Sequence, residues 1–263
     1  MSAVTRSVAT SVVTYGTSVK TIHQYLLDIF ATTEGGLYDA YLPTLYQDSA
    51  GTTAVTTDEQ PVGRWTDRSP NGFNLVQATA AARPTYRVDA NGLPYVALLG
   101  TDDNMTSATG GGGSAGFFFC AAIRPTGGNG TIRRIFDDKG TNTGYRLNIN
   151  TANELAFGAS NGAAETLISS AATVAVGTSY VLAAWDDGTN LNVQINNGAV
   201  ASIARPVVVA GTAGFTIGKV NGAAGGYLIA DVYHMCYAKN TGLTASQRET
   251  EKRYAASKIG ITL

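Results

Sequence analysis

Apolar residues in this chain recur at every second position over short stretches, and Gly, Asn or Asp closes each stretch. Tyr145, Leu147 and Ile149 alternate with Arg146, Asn148 and Asn150, and Leu155 and Phe157 repeat the pattern after a turn at Thr151-Ala152-Asn153. Leu191, Val193 and Ile195 alternate with Asn192, Gln194 and Asn196, and Asn197-Gly198 is the kind of pair that supplies the positive φ angles of a tight hairpin turn into Ala199 to Ile203. Side chains on a strand point to opposite faces in turn, so this spacing predicts strands buried on one side only. Further strands are expected at Tyr95 to Leu99, Gly116 to Arg124, Thr131 to Asp137, Ser179 to Trp185, Phe215 to Lys219 and Tyr227 to Tyr237. Turn signals every 8–12 residues or so, with no strand–helix alternation, predict an all-β, antiparallel two-sheet sandwich.

Two helices interrupt this pattern. Ile22, Tyr25, Leu26, Ile29 and Phe30 form one apolar stripe over Ser18 to Phe30, preceded by a Thr/Ser/Val-rich arm and ended by Glu34-Gly35-Gly36. So short a helix has too little surface to fold alone, so it docks on its own domain or on a partner. Near the other end, Thr244 with Gln247 is a capping-box pattern, and Gly260 stands where a terminating glycine belongs after Ala245 to Lys258. Residues 1–36 are therefore read as an N-terminal arm and short helix that anchor the molecule, and residues 37–263 as the sandwich.

Composition removes several classes of function. Eighteen Lys and Arg against nineteen Asp and Glu give a formal charge of −1, and charged residues make up only 14%. No field exists to steer the chain onto nucleic acid or an anionic membrane surface. The start of the chain lacks the apolar core of a secretory signal, and the longest apolar run, Phe117 to Ile123, is far short of a membrane span. A soluble protein made in the cytoplasm is expected, with no membrane insertion.

Residues that carry chemistry are scarce. Cys120 and Cys236 are the only cysteines and both sit in apolar strand-like stretches, which excludes a disulfide framework and a CxxC metal site. With only His23 and His234 a His-rich centre is impossible. Alternation places His234 and Cys236 on one strand face, but without an oxyanion-hole signature a packed pair is favoured over a Cys–His dyad. The run Gly110-Gly111-Gly112-Gly113 lacks the Lys-Ser/Thr of a phosphate-cradling loop and is read as a flexible loop. Trp65 and Trp185 read as core residues rather than sugar platforms.

Five separated motifs, in order, carry a resemblance. Leu45 to Thr53, Pro61-Val62-Gly63-Arg64-Trp65-Thr66-Asp67-Arg68-Ser69-Pro70-Asn71-Gly72 and Gln77 to Thr85 open it. Gly100-Thr101-Asp102-Asp103, Trp185-Asp186-Asp187-Gly188 with Asn196-Asn197-Gly198, Ile229-Ala230-Asp231-Val232, and Leu243 through Ile261 follow. Over residues 37–263 the chain resembles laminin-G-like domains carried by bacteriophages and prophages, within the concanavalin A-like lectin/glucanase superfamily. The resemblance implies a jelly-roll sandwich and leaves activity open, because this fold hosts lectins, hydrolases and structural modules alike.

Within that frame, glucanases of this fold draw their two carboxylates from a Glu-x-Asp-x-x-Glu strand. None of Glu34, Glu59, Glu154, Glu165, Glu249 or Glu251 stands in that pattern. The adjacent pairs Asp102-Asp103, Asp137-Asp138 and Asp186-Asp187 sit in turns that splay the two side chains. Some laminin-G-like domains bind calcium near the rim of the sandwich, and Asp102, Asp103 and Asp231 match family positions, although turn-forming Asp is the commoner reading. The expectation is a non-enzyme with no catalytic residue, no cofactor and no metal. Ranked first is a structural protein of a bacteriophage virion, displayed on the particle as head decoration or tail component and attached to other virion proteins through residues 1–36, as a homo-oligomer. A host-surface glycan-binding module ranks second and a carbohydrate-active enzyme third.

Overall fold

The computed structural model describes residues 12–15, 18–140, 143–240 and 243–263. In chain order the strands are β1 (Val12–Tyr15), β2 (Ser18–Thr21), β3 (Gly35–Asp39), β4 (Leu45–Tyr46), β5 (Arg64–Trp65), β6 (Leu75–Val76), β7 (Thr85–Val88), β8 (Pro94–Leu99) and β9 (Met105–Ser107). They continue with β10 (Phe117–Pro125), β11 (Arg133–Asp137), β12 (Tyr145–Ile149), β13 (Glu154–Ser160), β14 (Glu165–Thr173), β15 (Tyr180–Asp186), β16 (Asn190–Ile195), β17 (Ala201–Ala204), β18 (Phe215–Ile217) and β19 (Ile229–Lys239). Helix α1 (Ile22–Phe30) lies between β2 and β3, and α2 (Ala245–Lys258) closes the chain. Among the described residues no helix is long and apolar enough to cross a membrane.

Two antiparallel sheets face each other. One runs β17-β16-β15-β10-β19-β8-β7, with β3 pairing the far half of β19; the other runs β14-β13-β12-β11-β18-β9-β6-β5-β4. Their inner faces enclose one core rich in aromatic rings. Phe117 lies 4.7 Å from Tyr145, Phe136 lies 5.2 Å from Phe215, and Tyr237 lies 4.8 Å from Phe215, centroid to centroid. The sandwich expected from the alternation is what forms.

The middle of the eight-stranded sheet, under the two helices, is buried on both faces, which explains the unbroken run Phe117 to Ile123. Phe117, Phe119, Ala121 and Ile123 point into the sandwich, whereas Phe118, Cys120 and Ala122 point outward under the two helices. Leu26, Ile29 and Phe30 of α1 and Tyr254, Ala255 and Ala256 of α2 complete this second core. A strand covered on both sides reads as continuous hydrophobicity rather than alternation.

Several expectations need adjustment. Ser18–Thr21 is a strand paired with β1 rather than the first turn of the helix, which starts after Thr21, whose Oγ1 accepts the Gln24 N–H at 3.1 Å. β3 straddles the expected boundary at residue 36, and α1 packs on the same sandwich. The arm before it, apart from Val12–Tyr15, lies outside the described residues. At the β16–β17 hairpin the positive φ falls on Asn196, at 53°, and the Gly198 N–H donates to Ile195 O. The capping box of α2 forms as expected, with Gly260 at φ 69° just past its end. The glycine run is buried packing rather than a flexible loop. A Cβ at Gly111 would stand 2.4 Å from Gly214 O, and one at Gly110 would stand 2.4 Å from Tyr237 Oη.

Candidate functional site

The outward face of the nine-stranded sheet carries a groove of about 650 Å³. Three of the residues lining it, Thr106, Asp137 and Arg146, stand on one register row that runs on past the groove. Thr106 pairs Thr216, Thr216 pairs Asp137, Asp137 pairs Arg146, Arg146 pairs Gly158 and Gly158 pairs Leu167. Residues opposite one another on antiparallel strands share a face, so these six form one row across β9, β18, β11, β12, β13 and β14. At a strand spacing of about 4.8 Å the row is about 24 Å long.

A bulge in β11 gives the row its charge. The register with β12 shifts between Arg134 and Phe136, and Ile135 and Phe136 both enter the core. Arg134 and Asp137 consequently emerge together on the outer face, Nε to Oδ2 at 3.1 Å. Arg134 also donates from Nη1 to Asn148 Oδ1 at 2.8 Å. Burial pushes the Asp137 carboxyl above its ordinary range and the Arg134 cation pulls it back.

Gly158 makes space for the other carboxylate. A Cβ there would lie 2.4 Å from Glu165 Oε1, so the side chain of Glu165 lies across β13 where no methyl stands. From that position Glu165 pairs with Lys139, Nζ to Oε2 at 3.2 Å, and with the Arg146 guanidinium. Glu165 Oε1 and Arg146 Nε are left without hydrogen-bond partners. Beyond the charges, Thr216 donates to Asn221 Oδ1 at 3.1 Å and Asn221 Nδ2 donates to Thr212 Oγ1 at 2.9 Å. Leu167, 45% exposed, ends the row with an apolar surface. The result is a polar track whose donors and acceptors are held in place by one another.

Of the residues singled out from sequence as candidates, only Asp137 of the Asp137-Asp138 pair lines this groove, and Glu165 borders it through Lys139 and Arg146. The aspartate pairs are indeed splayed. Asp137 faces the groove, whereas Asp138 is buried and accepts the N–H groups of Tyr145 at 2.6 Å and Gly112 at 3.1 Å. Burial pushes the Asp138 pKa up to about 7. Asp186 accepts from Tyr145 Oη, while its neighbour Asp187 caps the turn at Thr189 and Asn190. Asp103 accepts the Leu99 N–H and Asp231 is held by Arg124, so the residues considered for calcium are separately engaged. Trp65 is core and donates to Asp39 O; Trp185 is half-buried beneath the Arg248 guanidinium at 5.0 Å. Reading the sequence alone missed Arg134, Lys139, Arg146 and Asn221. The usable signal was the Arg134-Ile135-Phe136-Asp137 break in alternation.

A second polar cluster lies under the helices. His234 of β19 shares Nδ1 with Asp39 Oδ1 at 2.8 Å and Nε2 with Glu251 Oε1 of α2 at 2.5 Å. Asp39 also takes Tyr254 Oη at 2.7 Å, Lys258 Nζ at 3.3 Å and the Arg68 guanidinium. Burial alone would push the Asp39 carboxyl up, yet His234, Lys258 and Arg68 hold it far below the carboxylate range. Burial likewise disfavours the His234 cation, but the carboxylates on both ring nitrogens hold its pKa at about 9. His234 and Cys236 share a face as alternation required, and both are fully buried, which leaves no room for a substrate beside them.

Neither a family model nor a curated protein matches the sequence. Solved structures share the fold. An arabinofuranosidase complexed with arabinofuranosyl-alpha-1,2-xylobiose superposes with a TM-score of 0.62 at 13% identity, covering 88% of this chain and 65% of that one. The binding domain of Paraclostridial Mosquitocidal Protein 1 gives 0.58 at 11%, covering 75% and 51%. A botulinum neurotoxin type C structure, concerned with cell entry through interaction with two ganglioside molecules, gives 0.53 at 13%, covering 73% and 48%. This chain spans about half the length of those toxin structures. At such identities the likeness is one of fold, a lectin-like β-sandwich.

Proposed function

We propose that this chain is a non-enzymatic saccharide-binding module that takes a glycan across the outer face of the nine-stranded sheet. The observation that carries it is the row from Thr106 to Leu167: a largely polar, partly orphaned track about 24 Å long across six hydrogen-bonded strands. Hydroxyl-rich ligands need fixed donors and acceptors in alternation. Thr106, Asn221, Asp137, Arg146 and Glu165 present both kinds. Support comes from neighbours of the same fold, one solved with an oligosaccharide and another concerned with gangliosides. Against catalysis stands the pairing of both groove carboxylates: Asp137 with Arg134, and Glu165 with two cations. A glycosidase needs one carboxyl free to give a proton and the other free to attack or activate water.

We rank glycan recognition ahead of a purely structural role, reversing the order reached from sequence, and the groove supports that ranking. The setting we propose remains the surface of a bacteriophage particle, reached through residues 1–20 rather than the whole of 1–36, since α1 is committed to the second core; it rests on the motif resemblance. The test is a glycan array probed with the full chain, followed by incubation of each bound polysaccharide with the protein. Retention of specific glycans at unchanged length is the expected result. Binding to none would leave the structural reading in place, and shortened chains would make the protein an enzyme.

A further inference from the structure

We propose that His234, Cys236 and Glu251 form a buried site for one tetrahedral transition-metal ion of the zinc class, with the Cys120 thiol as its fourth ligand. The site is remote from the groove and independent of the glycan reading. One ligand atom from each of the first three residues lies within 4.8 Å of the others. Zinc holds nitrogen and oxygen at about 2.0–2.2 Å and sulfur at about 2.3 Å, which sets tetrahedral ligands roughly 3–4 Å apart. The three atoms lie within reach of that size, with His234 Nε2 and Glu251 Oε1, at 2.5 Å, already closer than it. Cys120 stands opposite Cys236 in the β10–β19 register on the same helix-facing side; its thiol lies outside the 4.8 Å group and would turn inward to join it.

Two features point to an ion rather than to packing alone. Asp39 occupies His234 Nδ1, so Nε2 is the nitrogen turned toward the cluster; a carboxylate behind a ligating imidazole is the usual outer support of a zinc-binding histidine. Glu251 is 0% exposed, and its Oε2 has no hydrogen-bond partner. A buried carboxylate oxygen without a donor is costly, and a cation satisfies it. The ion would replace the proton between His234 Nε2 and Glu251 Oε1, and that contact would open to about 3 Å through rotation of the glutamate. Three protons leave as it enters: one from the imidazolium and one from each thiol. Nitrogen and thiolate ligands select zinc or cobalt over calcium or magnesium. Because every ligand is buried, loading belongs to folding, as α2 closes over the sheet.

The test is to refold the full chain from denaturant with zinc, with cobalt, or with a chelator alone, then remove free metal by gel filtration. The expected results are one zinc per chain by elemental analysis, a thiolate-to-cobalt absorption band, and a Tm above that of the chelator-refolded protein. Cys236→Ser should lose the band and the ion while remaining folded by circular dichroism; Cys120→Ser should keep the ion but weaken the band. A full chain that refolds with neither bound zinc nor a cobalt band overturns the proposal, leaving a hydrogen-bonded relay. Full metal content in both Cys236→Ser and Glu251→Gln overturns it equally, by placing the ion elsewhere.

Discussion

At the scale of single residues, two side chains carry sharp consequences. Gly158 has an ordinary φ and is required only for space, because Glu165 lies where its Cβ would be. The atoms in the way, Glu165 Oε1 and Leu167 Cδ2, end flexible side chains that can turn aside, so Gly158→Ala should change urea unfolding little while displacing the carboxylate from Lys139 and Arg146 and weakening any groove ligand. Unchanged affinity for a groove ligand would contradict that role of Glu165. Asp138 makes the second prediction. Its pKa is raised from 3.8 to about 7 by burial, so the folded state binds its proton more tightly than the unfolded chain. That contribution to stability is full below about pH 4, declines as the pH rises toward 7, and is absent above. Asp138→Asn should therefore flatten the fall of Tm between pH 4 and 7 relative to the parent; an unchanged slope would refute the assignment. Neither role was legible in the sequence. Glu165 looked like one of six scattered glutamates, and only the register of β13 with β14 sets it against Gly158.

At the scale of elements, the helices are the lids of a second core. Removing α2 would uncover Phe118, Cys120 and Ala122, and with them the face that makes β10 apolar on both sides. Burial of side chains of this size contributes about 1.5–3 kcal/mol each, so a chain ending at Asn240 should be insoluble or unfolded by circular dichroism. A folded, soluble truncation would contradict the two-core description. At the other end, the chain starting at Thr21 retains Leu26, Ile29 and Phe30 in that core, whereas one starting at Leu37 loses them and half of β3. The first should keep its Tm within a few degrees and the second should not. Should residues 1–20 serve as an anchor, the first chain would fold yet fail to join particles. Long elements with strong local signals were readable: β10, β12, β16, β19 and α2. The two-residue strands β4, β5 and β6 were not, because their pairing rests on distant partners. The edge strand β14, Glu165-Thr166-Leu167-Ile168-Ser169, has no clean alternation since much of it faces solvent.

At the scale of the whole molecule, class and layering follow from period-two patterning and turn residues, and so does the absence of strong charge. What sequence could not supply is the contact between strands far apart in the chain. Thr106 meets Thr216 across 110 positions, and that meeting builds one end of the groove. Recognition therefore rests on a surface assembled by topology rather than on any contiguous motif. The decisive measurement is the affinity of the best array glycan for the parent chain, for Arg146→Ala in the groove and for Trp185→Ala on the opposite sheet. Loss of one or two charged hydrogen bonds, about 1.5–3 kcal/mol, should weaken the groove variant by roughly tenfold to a hundredfold and leave the tryptophan variant unchanged. The reverse pattern, with Trp185 needed and Arg146 dispensable, would move the binding surface to the other face of the sandwich.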